Sequence, residues 1–334
     1  MEEFVDIRIE DVAFDGENYW FFSREINALF SMNVSGQVIY RGMVPWEKVM
    51  QERLYSSVAV IGNKVYLIPF CASKIAVYEI KDNSFSKVEI PNKSNMLPRY
   101  MATFLHKTHL YIFGCRNLHV LVLDTDTDTV KVIEPREEYN AMNTSDVYFY
   151  KHPAYYDDSL WLYMCNSDKI MRFDIEQETI SFIELYLNTN GYIGTYYDGD
   201  SLWGVSRSLP SEVIQYNIKA NDVNRIPITT AKEIPIFVGL VVLGKELHLF
   251  IEGDTDCSIK WDGIFWHKNA IFAKVIDNNL IYYDEKEKCL VINNQRFALK
   301  VSKSIIMKKY YDLIAEETIK ENEFIRLVDF LCIM

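Results

Sequence analysis

Val58-Ala59-Val60-Ile61-Gly62-Asn63-Lys64-Val65-Tyr66-Leu67-Ile68, continued by Ile75-Ala76-Val77-Tyr78, Asp82-Asn83 and Phe85-Ser86-Lys87-Val88, decides the fold. Two apolar runs flank Gly62-Asn63, residue types that accept the positive φ of a tight turn, so they read as a hairpin. A third strand, a second turn at Asp82-Asn83 and a fourth strand follow. Four antiparallel strands in roughly 40–50 residues are one propeller blade, a unit that needs neighbours to bury its faces.

The unit recurs. A turn followed by an apolar or aromatic strand ends at Trp20, Tyr66, Tyr111, Trp161, Trp203, His248 and Ile281, with spacings of 46, 45, 50, 42, 45 and 33 residues. A second mark, a strand closing on Asp, Glu or Asn, keeps the same period in Tyr78-Glu79, Leu123-Asp124, Phe173-Asp174, Tyr216-Asn217 and Trp261-Asp262. Two marks on one period predict an all-β single propeller of about seven four-stranded blades over residues 1–301. The blades start near 12, 55, 100, 147, 192, 237 and 271; six blades result if Ile271–Val301 fails to make its own. From Ser302 apolar residues recur at helical spacing (Ile305, Ile306, Tyr310, Leu313, Ile314, then Phe324, Leu327, Val328, Leu331), so residues 302–334 read as a helical appendage. It either packs on the propeller or joins a second copy in a dimer.

The paired marks, such as Leu160-Trp161 with Phe173-Asp174, resemble those of a divergent bacterial member of the Kelch-type or galactose-oxidase-like propeller superfamily. The resemblance covers residues 12–301 and implies fold rather than activity.

Composition narrows the partners. The net charge of −12 repels phosphate backbones, which argues against nucleic acid. Met1-Glu2-Glu3-Phe4 carries no apolar run, and no stretch is long enough to span a membrane. Cytoplasmic residence is therefore expected. The six cysteines at 71, 115, 165, 257, 289 and 332 lack paired spacing and should be free thiols. No phosphate loop, nucleophile elbow or zinc signature occurs, so neither cofactor nor metal is expected. Asp124, Asp126 and Asp128 lack the Gly and Glu of a calcium loop and read as a solvated turn.

In a propeller the loops after second strands and before first strands open on one face. There this sequence places Arg24, Arg99, Arg116 and Arg207 with Tyr55, Tyr100, Asn117, His152 and Tyr192. Guanidinium forks and tyrosines suit carboxylates, phosphates or a protein partner. The first reading is a non-catalytic binding or scaffold propeller that recognises a protein, a peptide or an acidic small ligand. The alternative is a hydrolase, lyase or epimerase acting on a carbohydrate or small acid, with His152, Glu25 or Glu252 in acid–base roles.

Overall fold

In the computed structural model the described residues are 3–48, 51–91, 99–135, 149, 153–187, 191–207, 210–230, 236–306 and 308. They form a seven-bladed β-propeller. The inner strands, which surround the axis, are Ala13–Phe14, Tyr55–Ile61, Tyr100–His106, Ala154–Tyr156, Tyr192–Tyr197, Ile236–Leu243 and Ala270–Ile276. Blade 2 shows the standard meander: Tyr55–Ile61, Lys64–Pro69, Ile75–Glu79 and Ser84–Val88 pair in sequence order, all antiparallel. In blades 2, 3, 5, 6 and 7 the inner strand carries a bulge, as between Tyr55 and Ser57 or Tyr100 and Ala102, which bends it around the axis.

The core lies between blades. One apolar cluster fills each of the seven interfaces, for example Trp20, Phe22 and Leu29 of blade 1 against Val65, Leu67 and Tyr78 of blade 2. Blades 1 and 7 are each built from contiguous chain, so no blade mixes the two ends. Closure rests on the cluster of Ile9, Phe21, Phe30, Tyr283 and Leu290, and on a clasp in which Phe4–Asp6 pairs with Lys300–Ser302.

The repeat marks have a physical cause. Asp15 and Asp198 each accept two backbone N–H groups of the first hairpin turn on Oδ1. Their Oδ2 takes the indole N–H of the tryptophan five residues on, at 2.6 Å to Trp20 and 2.7 Å to Trp203. The second mark caps the next turn. Asp124, Asp174 and Asn217 accept backbone N–H groups two or three residues ahead, and Asp284 does the same in blade 7. At that turn Asn83 and Asn221, both with φ near +50°, receive the hydroxyls of Tyr78 and Tyr216.

Blade 6 departs from the expected layout. Its third strand, Cys257–Ile259, pairs with Asp222–Thr230 of blade 5, while Ile264–His267 joins Glu246–Glu252 in parallel. Trp261-Asp262 therefore lies between these strands instead of closing a third strand. The run Ile264–His267 packs on the blade through its rings: Phe265 and His267 both stack on His248, and His267 stacks on Phe250. His248 Nδ1 and His267 Nε2 lie in a hydrogen bond of 3.0 Å, one ring nitrogen donating and the other accepting. Burial, with a smaller contribution from His248, holds His267 down to about 4, against an ordinary 6.5. A base depressed in the folded state adds stability that is complete above the ordinary value and fades as pH falls toward the folded one. We expect a loss of about 2 kcal/mol between pH 7 and pH 5 in urea unfolding, with His267→Phe flattening that slope. An unchanged slope in the variant would refute the assignment.

Residues 303–306 begin a helix at the end of the ring. The rest of the helical segment expected to 334, with its dimer reading, lies outside the described residues apart from residue 308.

Candidate functional site

Backbone hydrogen bonds fix which loops share a face. In four blades the first residue past the second strand donates to the residue before the inner strand: Phe70 N to Leu54 O, Cys115 N to Arg99 O, Arg207 N to Gly191 O and Glu285 N to Asn269 O; in blade 1 Arg24 N donates to Arg8 O, beside the Ile9–Ser23 bridge. Both loop types of a blade thus open together. Arg24, Arg99 and Arg207 lie at these crossings, and Arg116 follows Cys115.

The face divides into two sectors by charge. On the side of this face formed by blades 7, 1 and 2, Arg8, Arg24 and Arg53 are each neutralised. Arg8 pairs with Glu25 and Glu285, Arg24 with Glu52 (2.9 Å) and Glu10, and Arg53 grips both oxygens of Glu10 (2.7 and 3.0 Å). Glu10 is 5% exposed, so it depends on those cations. On blades 3 to 5 the pattern changes. Arg99, Arg116 and Arg207 have no carboxylate partner among the described residues; Arg207 Nη1 donates to the Cys165 carbonyl at 3.4 Å. Phe70 bridges the sectors, with the guanidinium of Arg53 4.3 Å and that of Arg99 5.8 Å from its ring centroid.

Beneath the arginines lie two thiols. Burial pushes Cys115 up to about 11, although Arg116, Arg99 and Arg53 all pull it down; burial also pushes Cys165 up to about 12 against the pull of Arg207. Protonated and shielded, they are packing groups rather than nucleophiles. All five described cysteines are unbridged, and no metal-like cluster of three His, Cys, Asp or Glu occurs among the described residues. Cys332 lies outside them.

The other expected site residues are placed as follows. Tyr55, Tyr100 and Tyr192 open their inner strands, but their rings are buried. Tyr100 bonds His119 through its hydroxyl (2.9 Å), Tyr192 bonds Glu212 (2.8 Å), and Tyr55 packs edge-on against Phe22. These tyrosines support the face from below and do not line it. Asn117 folds over Gly114, where an added Cβ would meet its Oδ1 at 1.8 Å. Glu25 is bound to Arg8 and raised by burial, while Glu252 is exposed at the end of its strand. His152 lies outside the described residues. Arg53, Phe70 and Glu10 are additions. Arg53 carried a signal: like Arg99 it sits just ahead of an inner strand, and both have positive φ (58° and 48°).

No family model matches the chain, and no curated protein matches its sequence. Solved structures do. Virginiamycin B lyase from Staphylococcus aureus aligns with TM-score 0.62 and 13% identity over 85% of this chain and 96% of that one. A chain of a mitotic checkpoint complex gives 0.60 and 9%, over 86% and 89%. YCF48 bound to D1 peptide gives 0.58 and 10%, over 90% and 93%. What they share with this chain is the propeller. At such identities the likeness carries no activity, since propellers host enzymes and binding modules alike. Among the described residues, no helix is long and apolar enough to cross a membrane.

Proposed function

We propose that this propeller is a non-catalytic binding module whose arginine face holds an acidic segment of a protein or peptide, or an anionic small ligand. One observation carries the reading. In a chain of net charge −12, Arg99, Arg116 and Arg207 are concentrated on one sector without carboxylate partners among the described residues. Such guanidinium groups favour an incoming carboxylate or phosphate, and the Phe70 ring between Arg53 and Arg99 adds an apolar anchor. Peptide recognition on this architecture has a precedent in YCF48, which binds the D1 peptide. An acid–base enzyme is less well supported, because among the described candidates Glu25 is tied to Arg8 and Glu252 stands exposed at the end of its strand. Cytoplasmic residence and Kelch-type kinship remain part of the proposal, resting on the cysteine pattern and the paired repeat marks.

A pull-down from native cytoplasmic extract with mass spectrometry tests this. The wild type should enrich a partner bearing an acidic segment, and the Arg99→Ala/Arg116→Ala double variant should lose it. A partner retained in full by the folded double variant would overturn the arginine face as the site.

A further inference from the structure

The inner strands run from the arginine face to their hairpin turns, and a cavity lies toward that far end. It has a volume of about 500 Å³ and draws its walls from all seven inner strands, among them Phe14, Val58, Phe104, Tyr155, Tyr196 and Val241. In blade 3, for instance, Thr103, Phe104 and Leu105 line it, whereas Arg99 and Tyr100 start the strand at the opposite face. Cavity and arginine face are therefore separate sites.

The inner end of the cavity is a closed polar belt. Lys274 Nζ donates to Asp11 Oδ1 and to the Val12 carbonyl, each at 2.9 Å. Ser57 Oγ and the Val58 N–H donate to Asp11 Oδ2, and Thr103 Oγ1 lies 3.0 Å from Ser57 Oγ. With the Ser57 proton committed to Asp11, Thr103 is the donor in that last contact. Lys274, the one cation of the lining among the described residues, is cancelled by a carboxylate that is 3% exposed. A charged ligand would lose its water here and gain no free counter-charge. The outer rim is aromatic instead. Phe104 and His106 both stack on Tyr155 (5.5 and 5.4 Å), and Tyr155 and Leu105 remain 37% and 40% exposed. The wall also has a flat stretch. Gly194 and Gly239 lie side by side on blades 5 and 6, where a Cβ on Gly194 would stand 3.2 Å from the Gly239 Cα.

We propose that this cavity is a second binding site, for a small uncharged molecule carrying an aromatic ring. The volume falls within the roughly 300–1,000 Å³ of small-ligand pockets, and is about three times an engineered cavity of roughly 150 Å³ that takes one benzene. The ring of the ligand stacks with Tyr155 at the rim, and its apolar body lies along the glycine wall.

Fluorescence titration with the neutral probe N-phenyl-1-naphthylamine tests this, with 8-anilinonaphthalene-1-sulfonate as its anionic counterpart. The neutral probe should saturate a single site, and the sulfonate should displace it from that site only at concentrations at least about tenfold higher than the neutral probe's own. Gly239→Phe should fill the cavity and abolish saturable binding; a Cβ there meets only the Ala273 Cβ, at 4.0 Å. Tyr155→Ala, a rim change that spares the core, should weaken binding about threefold to tenfold, the worth of one ring pair. Arg116→Ala should leave the neutral probe's titration unchanged. The proposal is overturned if the neutral probe shows no saturable binding, if the sulfonate displaces the neutral probe at equal concentration, or if Tyr155→Ala and a folded Gly239→Phe both bind the neutral probe like wild type.

Discussion

Trp20→Ala is expected to cost about 4 kcal/mol of stability in denaturant unfolding followed by circular dichroism. Trp20 is fully buried in the interface of blades 1 and 2, within 5.8 Å of the Tyr78 ring, and its indole N–H is held by Asp15 at 2.6 Å. Truncation leaves a large cavity at a seam between blades that local collapse cannot close, and it strips the Arg41 guanidinium of the ring 5.0 Å beneath it. Trp20→Phe keeps much of the volume and should cost about 1–2 kcal/mol. A loss under about 1 kcal/mol for the alanine variant would mean that the blade seams are not where the fold gains its stability.

Arg53→Ala is expected to destabilise the protein by about 2–4 kcal/mol, whereas Arg116→Ala should cost under about 0.5 kcal/mol. The two residues sit on the same face and look interchangeable in sequence. Their surroundings differ. Arg53 holds both oxygens of Glu10, and removing it strips that buried carboxylate of contacts at 2.7 and 3.0 Å, with Arg24 standing farther off at 3.6 Å. Arg116 has no carboxylate partner among the described residues, so its loss orphans none of them. Adding Glu10→Gln to Arg53→Ala removes the stranded charge and should recover part of the loss. Equal effects of Arg53→Ala and Arg116→Ala would contradict the division of the face into a structural and a receptive sector.

The ring was legible because its determinants are local. Gly62, Asn83 and Asn221 accept the positive φ of hairpin turns, and the Asp-to-Trp pairing repeats with the blade. Blade 6 was not legible. Its strand exchange depends on which segment best covers Phe250 and His248, a comparison made only once the sheets stand side by side. The positions of the arginines followed from register alone, but the burial of Tyr55 and Tyr100 did not. A bulge directly after each changes which side of the strand faces the core, and the sequence carries no clear mark of it. Phe70 escaped notice for a similar reason: a cation–π contact with two arginines from separate connections has no sequence signature. The axial cavity is a property of the closed ring, and no single blade contains it.

Anisotropy titration of a short dye-labelled Glu-rich peptide against the purified protein tests the central claim most directly, run beside a neutral peptide of equal length and repeated across salt concentrations. The account predicts that the acidic peptide binds more tightly and that its affinity falls as salt rises. It also predicts that Arg116→Ala weakens binding about 5- to 150-fold, or about 1–3 kcal/mol, with the melting temperature nearly unchanged. Equal binding of both peptides, or an Arg116→Ala variant that binds as wild type or melts far below it, would contradict the account.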